Sequence, residues 1–535
     1  MEKVWTVKIA GPAGAGVKSA GLLLTQILNE SGYFLKDYSE YPSLVRGGHN
    51  TYQISFSKGE VFGVYQKLDV LISLSAGHWQ EHEKEMKKGG LIFTDNEGEN
   101  NLPLNEMSLQ LGSRIYANTI TLGLLVYLFA LDKKLSLKIV SKHFGENENN
   151  QRAFESGFKY GENNFSEVVS SEKVNSKKVG SEVVSSKIIV DGNEAVGWGL
   201  YKAGLNLYAA YPMTPATGVL HFLAKNQDEF NIKVVHPEDE IAAASIACGN
   251  SMAGGRSATG TSGGGFALMT ESVSLAGAAE IGVVFYISQR PGPATGMPTW
   301  TSQGDLLFAV HSGHGEFPKI VLAPGDTKES FELAKDALNL ANKYDVPVIL
   351  LSDKNLSESS SNVNDFALEK SVIIESKKPI PGKGQKIKLY NSYEHDATGF
   401  STESADIAKE NADKRLKKIE KIKKDLPKAE FFGNEKAKKL IVCWGSVKGA
   451  VLEALKGMKN KEEFSVLQVK SMWPLEENLE KIINSFKEKI LIENNSMAQL
   501  EMLLKSKMDV NFDKKILKYD GRPFFVEEIM EALND

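Results

Sequence analysis

Along residues 4–165, short apolar runs (VWTVKIA, LDVLISL, GGLIFTD) alternate with longer stretches whose apolar positions recur at helical spacing (SAGLLLTQILNE, ITLGLLVYLFAL). Such alternation predicts strand–helix units, and so a first α/β domain over residues 1–165 with a mostly parallel sheet. A second block, residues 188–355, carries the strand candidates KIIV, LYAAYP, SATGTS, IGVVFYIS, KIVLAP and VPVILLS, separated by helix-like text. A third, residues 436–535, opens with KLIVCWGS and continues through KILIENN. Between the blocks the patterning lapses. Residues 166–187 are rich in Ser, Lys and Glu, contain EVVSS at Glu167 and again at Glu182, and read as a linker. Residues 356–435 form a polar connecting segment in which SADIAKENADKRLKKIEKIKKDL predicts a solvated, charged helix. The expected fold class is α/β, in three α/β domains.

With 535 residues, 42% hydrophobic and 24% charged, there is material for more than one core. A net charge of −5 implies no polyanion-binding surface, so no nucleic-acid partner is expected. No apolar run approaches the roughly 18 residues of a membrane span, and MEKVWTVKIAG lacks a basic region followed by a long apolar core. A soluble, cytoplasmic protein without membrane association is therefore expected. Two cysteines, Cys248 and Cys443, exclude a disulfide framework, a Cys-rich zinc site and a four-cysteine iron–sulfur cluster held by this chain alone. No metal site is expected on it.

Between a strand-like and a helix-like run lies GPAGAGVKS, Gly11 to Ser19, where phosphate-binding loops sit. Val17 separates Gly16 from Lys18, whereas a P-loop lysine follows its glycine directly, and one helical residue turns a side chain by about 100°. The spacing of Gly11, Gly14 and Gly16 also departs from the dinucleotide fingerprint. What remains is a turn suited either to a phosphate or to tight packing.

The middle block concentrates candidate chemistry. In AAYPMTPAT, Pro212 and Pro215 bracket Thr214, stiffening the backbone that holds its hydroxyl. In VVHPEDEIAAAS, Pro237 marks a helix start; Glu238 and Asp239 suit the helix dipole, while Glu240 leads into an Ala-rich helix and is a candidate buried carboxylate. In GTSGGGF, Gly263, Gly264 and Gly265 let backbone approach a planar ligand. In ISQRPGPATGMPTWTSQGDL, Arg290 follows an apolar strand and suits bidentate capture of a carboxylate. In the third block, Glu493, Asn494 and Asn495 end a strand and face a ligand or an interface, or simply make an Asn-rich turn.

At these residues the chain resembles the 2-oxoacid:ferredoxin oxidoreductases, in the form with a gamma domain fused ahead of the alpha subunit. YPMTPAT, EDEIAA, TSGGGF and RPGPATGMPTWTSQGDL carry the likeness, together with EHDATG at Glu394, WGSVKGAV at Trp444, WPL at Trp473, ENN at Glu493 and YDGRP at Tyr519. GPAGAGVKSAG and YPSLVRGGHN resemble the gamma domain's glycine turn and R-G-G element.

The resemblance implies a gamma-type domain, a thiamine-diphosphate pyrimidine-binding-type domain and a transketolase C-terminal-like domain. It implies CoA-dependent oxidative decarboxylation of a 2-oxoacid to an acyl-CoA and CO2, with electrons passing to ferredoxin. No G-D-G motif is present: Gly304-Asp305 and Gly325-Asp326 are followed by Leu and Thr. Thiamine diphosphate would thus be shared with a beta subunit that brings the magnesium site and the iron–sulfur cluster, in a heterodimer or dimer of heterodimers. By motif, Glu240 is the catalytic, cofactor-binding glutamate that faces the aminopyrimidine. Thr214 and Arg290 would bind the substrate, with Tyr211, Pro212 and Asp305 beside them, and the loop from Pro293 to Asp305 would close the pocket. Gly263, Gly264 and Gly265 fall on the cofactor side. The fused arrangement and EHDATG favour 2-oxoglutarate over pyruvate, branched-chain or aryl 2-oxoacids. Met213 replaces the family's usual Ile, and Trp300 stands where a polar residue is more usual, so it would reshape the pocket. The glycine turn is left to contact CoA or to fasten the gamma domain.

Overall fold

The computed structural model describes residues 2–43, 48–75, 79–95, 100–145, 147–166, 187–374 and 389–534. Arg46 and Gly47 of the R-G-G element, both EVVSS copies and residues 375–388 of the polar connecting segment lie outside them. No described helix is long and apolar enough to cross a membrane.

The chain divides into two compact units, the first comprising Met1–Val190, Ser359–Asp365 and Phe525–Glu531. Its described sheet has eight strands in the order Asn100–Asn101, Met86–Thr94, Leu68–Ser73, Trp5–Pro12, His49–Ser57, Phe34–Glu40, Ser360–Asn364 and Lys187–Asp191. The sheet is mixed, which corrects the expectation of a mostly parallel one. Trp5–Pro12 runs parallel to Leu68–Ser73 but antiparallel to His49–Ser57, which pairs antiparallel with Phe34–Glu40. These last two strands escape an apolar-run search because they bury polar side chains that find partners. Asp37 accepts from the Tyr52 hydroxyl and from Ser360 N, and Ser55 Oγ accepts from Tyr65 N at 3.2 Å.

KIIV belongs to this sheet and not to the second block, so the expected boundary at residue 188 is also corrected. The Lys187 carbonyl accepts from Asn29 Nδ2 at 2.9 Å, while Asn362 donates to Asn29 Oδ1 at 2.7 Å and accepts from Leu35 N at 2.7 Å. Side-chain amides thus stitch three remote segments into one edge. Phe525–Glu531, which holds most of the last helix, joins the same unit, and the Glu527 carboxylate accepts from Gln66 N at 2.8 Å and Lys67 N at 3.0 Å. Two of the unit's helices, Ala117–Leu128 and Glu148–Asn164, touch backbone to backbone. A Cβ at Gly123 or Gly157 would lie 2.0 Å from Phe154 O or 1.9 Å from Ile120 O.

The second unit comprises Asp191–Glu358, Phe366–Phe524 and Ala532–Asp535 and holds two sheets. The larger has the order Ser471–Trp473, Ile320–Leu322, Pro347–Asp353, Val283–Gln289, Ser257–Thr261, Leu207–Ala209 and Lys233–Val235, parallel except at its first strand. Val283–Gln289 is buried throughout, as a central parallel strand covered on both faces must be. The smaller sheet has the order Glu430–Phe432, Phe464–Val469, Lys439–Trp444, Glu488–Glu493 and Lys514–Leu517, with only Glu430–Phe432 antiparallel.

The second and third expected α/β regions are both present, yet they are not separate bodies. Phe285 and Ile349 of the larger sheet share one buried cluster with Val442, Trp444 and Leu467 of the smaller. Ser471–Trp473 crosses over to pair with Ile320–Leu322. Lys448 Nζ, 2.8 Å from Glu329 Oε1 and 2.6 Å from Asp326 Oδ2, pins the smaller sheet's side to the larger's. Burial works against the Lys448 charge, but the two carboxylates more than offset it and raise its pKa above the ordinary lysine value. The charged helix Ala405–Asp425 buries little besides Ile422, as its composition implies.

Candidate active site

Four adjacent parallel strands of the larger sheet end at one edge, where open α/β sheets bind ligands. Leu207–Ala209 runs out into the Tyr211–Thr217 loop, and Lys233–Val235 leads to the helix Glu240–Met252. Ser257–Thr261 leads to the helix Gly263–Ala278, and Val283–Gln289 delivers Arg290. The four motifs, scattered over some 90 residues of text, are gathered by topology.

The helix of Glu240 begins one turn later than Pro237 suggests. Asp239 is its N-cap, accepting from Ala242 N at 2.8 Å, and this fixes Glu240 as the first helical residue. Glu240 is 4% exposed, and its Oε1 is buried with no hydrogen-bond partner among the described residues. A buried polar atom left unmatched is costly unless something completes it. Gly265 makes room for it, since a Cβ there would lie 2.6 Å from that oxygen and 2.1 Å from Thr261 Oγ1.

The other two glycines differ. A Cβ at Gly263 would lie 2.4 Å from Asp305 Oδ2, whereas at Gly264 it would meet nothing nearer than Ala294 O at 3.9 Å. Two of the three glycines therefore admit acidic side chains, and the middle one leaves open space.

Arg290 Nη1 donates to Thr214 O at 2.8 Å, which ties the proline-bracketed loop to the arginine. Burial lowers the Arg290 pKa and the nearby Asp305 charge opposes that shift. Burial likewise pushes the Asp305 carboxyl up to about 6 against the pull of Arg290. Met213 packs into the same group, its Sδ accepting from Ser262 Oγ at 2.7 Å. Glu240 beside Gly265, Asp305 beside Gly263, and Arg290 bonded to Thr214 O thus lie along one edge, with Arg290 and Asp305 close enough to shift each other's pKa. Tyr211 and Pro212 lie at its margin; Tyr211 is 38% exposed, its ring edge-on to His236 at 5.9 Å.

The segment from Pro293 to Asp305 is clasped by the smaller sheet's C-terminal edge. Gln303 Nε2 donates to Trp444 O at 2.9 Å, Gln303 N to Asn494 O at 2.8 Å, and Asn494 N to Gln303 Oε1 at 2.8 Å. Asn495 Nδ2 reaches Gln303 O at 3.2 Å, and Gln499 Nε2 reaches Gly304 O at 2.7 Å. The Glu493–Asn495 strand end therefore makes an internal interface. Thr301 N donates to Gly521 O at 3.0 Å, and the Arg522 guanidinium covers the Trp300 ring at 3.7 Å. Motif residues from WGSVKGAV, ENN and YDGRP converge on this loop.

Sequence reasoning missed Gln303, Asp353 and Gln289. Asp353, 1% exposed, accepts from Thr301 Oγ1 at 3.1 Å and Leu356 N at 3.1 Å, and burial raises its pKa. Its signal was an acid closing the wholly apolar run VPVILL.

In the first unit, Gly16 precedes the helix Val17–Glu30 with φ 81°, and a Cβ there would strike Asn118 Nδ2 at 2.6 Å. At Gly11 a Cβ would lie 3.0 Å from Leu74 Cβ; Gly14, with φ 87°, faces open space. Two of the three glycines serve packing. Among the described residues no group of three or more His, Cys, Asp or Glu side chains is placed to hold a metal.

Comparison with known proteins bears on the same regions. Residues 198–428 match the family described as "Pyruvate flavodoxin/ferredoxin oxidoreductase, thiamine diP-bdg", and residues 6–160 match "Pyruvate ferredoxin/flavodoxin oxidoreductase". A 2-oxoacid:ferredoxin oxidoreductase subunit alpha from Sulfolobus sp is 28% identical over 98% of this chain and 96% of its own. A 2-oxoglutarate synthase subunit from Archaeoglobus fulgidus is 40% identical over 33% of this chain and 51% of its own. The structure of 2-oxoglutarate:ferredoxin oxidoreductase from Magnetococcus marinus, with 2-oxoglutarate, coenzyme A and succinyl-CoA bound, superposes with a TM-score of 0.91 at 27% identity, covering 100% of this chain and 99% of that one.

Proposed function

We propose that this chain, which belongs to the alpha subunits of the 2-oxoacid:ferredoxin oxidoreductases and carries a gamma-type domain fused ahead of its thiamine-diphosphate-binding domain, takes 2-oxoglutarate as substrate. Enzymes of this class form an acyl-CoA from a 2-oxoacid with a partner beta subunit and ferredoxin. The observation that carries the reading is the buried, unmatched Glu240 Oε1, set at the same edge as the Arg290–Thr214 pair. Two names among the similar proteins, from Archaeoglobus fulgidus and Magnetococcus marinus, favour 2-oxoglutarate. With only two cysteines in the chain, the iron–sulfur cluster falls to the beta subunit, and so does the magnesium diphosphate site. We infer a heterodimer or a dimer of heterodimers, in a cytoplasmic setting that suits the buried free thiols of Cys248 and Cys443.

Bound thiamine diphosphate supplies the nucleophilic carbon and the electron sink for decarboxylation. Glu240 Oε1 would share a proton with the aminopyrimidine ring nitrogen, and so gain the hydrogen bond that no described residue gives this oxygen. Gly265 keeps that carboxylate unobstructed. Arg290, with Nη1 already on Thr214 O, would present its remaining N–H groups to the substrate carboxylate. Thr214, Tyr211 and Pro212 would line the substrate side, and Gly263, Gly264 and Asp305 the floor. The clasped loop would exclude water from the edge. The glycine turn of the first unit retains one open position, Gly14, for CoA.

The test is co-purification with the beta subunit and measurement of CoA-dependent viologen or ferredoxin reduction against a panel of 2-oxoacids. Turnover fastest with 2-oxoglutarate supports the substrate assignment; preference for pyruvate, branched-chain or aryl 2-oxoacids overturns it. Absence of turnover in a complex loaded with thiamine diphosphate and an intact cluster sinks the catalytic reading.

A further inference from the structure

Beneath the site runs a file of buried polar side chains that substrate and cofactor binding do not use. Asn193, 2% exposed in the first turn of the helix Gly192–Lys202, has Nδ2 2.9 Å from Pro215 O. Its Oδ1 lies 2.9 Å from the hydroxyl of Tyr286, a fully buried residue of the strand Val283–Gln289. That hydroxyl is 2.8 Å from Ser357 Oγ, which lies 2.7 Å from Ser288 Oγ and 3.0 Å from Ser352 Oγ.

Donor directions follow by elimination. Pro215 O can only accept, so the Asn193 NH2 faces it and Oδ1 faces Tyr286. The single Tyr286 proton goes to Asn193, so Ser357 donates to Tyr286 and accepts from Ser288 and Ser352. Burial raises the Tyr286 pKa above its ordinary value, so the hydroxyl stays a donor. From Ser352 the file continues: Gln289 Nε2 donates to Ser352 O at 3.0 Å, and Gln289 Oε1 accepts from Asp305 N at 2.9 Å. One end fixes the backbone beside Thr214 and the other the backbone of Asp305. Gln289 itself precedes Arg290, whose Nη1 closes the ring onto Thr214 O.

We propose that this buried file sets the spacing of Thr214, Arg290 and Asp305, making Asn193, Tyr286 and Gln289 positioning residues for the 2-oxoacid carboxylate. The inference rests on the substrate-binding roles given above to Thr214, Arg290 and Asp305. All three positioning residues are buried, with Asn193 2% exposed and Tyr286 and Gln289 fully enclosed. Asn193 acts through the Pro215 carbonyl and Gln289 through the Asp305 amide, and Tyr286 links the two through Asn193 and Ser357.

The experiment uses the reconstituted alpha–beta holoenzyme with Tyr286→Phe, Ser357→Ala and Arg290→Met. KM and kcat for the best 2-oxoacid, bound thiamine diphosphate and melting temperature are measured together. Tyr286→Phe deletes one oxygen at the middle of the file; it is expected to raise KM about tenfold, with kcat within about twofold and cofactor content unchanged. Ser357→Ala leaves the Tyr286–Asn193 bond in place and should raise KM about two- to threefold, which keeps the question answerable if Tyr286→Phe fails to assemble. An unchanged KM in an assembled Tyr286→Phe enzyme overturns the inference, as does a fall in kcat that merely tracks lost cofactor-loaded protein. If Tyr286→Phe does not assemble, an unchanged KM in Ser357→Ala overturns it. Arg290→Met separates the two levels. If it leaves KM unmoved, the site reading fails; if it raises KM while Tyr286→Phe does not, only the positioning inference fails.

Discussion

Glu240 and Glu493 are both buried glutamates at the C-terminal edge of a parallel sheet in the second unit, 4% and 0% exposed. Glu493 is saturated: Trp444 Nε1 at 3.1 Å, Asn495 Nδ2 at 2.7 Å and Leu500 N at 3.0 Å all donate to it. Glu240 keeps an oxygen with no donor among the described residues. Residue type and burial are alike; Glu493 closes a strand whereas Glu240 opens the helix that follows one, and their hydrogen bonding differs most. A saturated carboxylate holds the fold, whereas one without a donor among the described residues leaves an acceptor to spare, as the role proposed for Glu240 requires. Around Glu493 the edge folds inward to grip the Gln303 loop. Around Glu240 a glycine holds the space open.

The same isosteric change breaks this comparison most sharply. Glu240→Gln should cut turnover of the holoenzyme by about 100-fold or more, the range for losing a positioned acid or base, with little change in unfolding midpoint. Glu493→Gln should do the reverse. Its new NH2 faces donors on several sides, at a cost of about 1–3 kcal/mol in urea unfolding, with turnover falling only as the Gln303 loop loosens. Equal stability losses for both variants would show that Glu240 is a structural acid like Glu493.

How much of this was legible in the text follows from the same distinction. Apolar runs such as IGVVFYIS and VPVILLS announce central parallel strands because both faces are buried. Motif spelling marked Glu240, Thr214, Arg290 and Asp305, and topology brings them to one edge. The strands Phe34–Glu40 and His49–Ser57 are not legible, because Asp37, Gln53 and Ser55 are buried through partners outside their own runs, Ser360 for Asp37 and Tyr65 for the other two. KIIV looked like the opening of the second block since its own residues carry no sign that Asn29 and Asn362 fix it to the first sheet. Asn193 and Gln289 were invisible for a similar reason. An amide in a sequence does not show which carbonyl it will meet.

The neighbouring glycines sharpen the comparison at smaller amplitude. In the helix Gly263–Ala278, Gly264→Ala has room for its methyl and should gain about 0.5–1 kcal/mol from helix propensity. Gly265→Ala drives a methyl to within 2.6 Å of Glu240 Oε1, so Glu240 or the helix must shift; a loss of about 1–3 kcal/mol and a raised thiamine diphosphate Kd are expected. Opposite signs in the two urea midpoints support the cramped carboxylate. Matching signs would mean that the Glu240 pocket yields freely.

The smallest expected effect is also the one with a definite pH window. The Asp305 carboxyl titrates near 6 in the folded protein because burial disfavours its charge, against an ordinary value near 3.8. A raised carboxyl pKa means that the folded state binds the proton more tightly than the unfolded one. Its stabilising contribution is therefore full below the ordinary value and is lost as pH rises through about 6. Asp305→Asn, neutral at every pH, should match the wild-type melting temperature near pH 4 and exceed it by a few degrees at neutral pH. The same ionisation sets a charge beside Arg290 that competes with the substrate's carboxylate. The 2-oxoacid KM of the wild-type holoenzyme should fall a few-fold from pH 7 to pH 5, and that slope should vanish in Asp305→Asn. A slope that persists in the variant would assign the titration to another group and leave Asp305 with only its backbone link to Gln289.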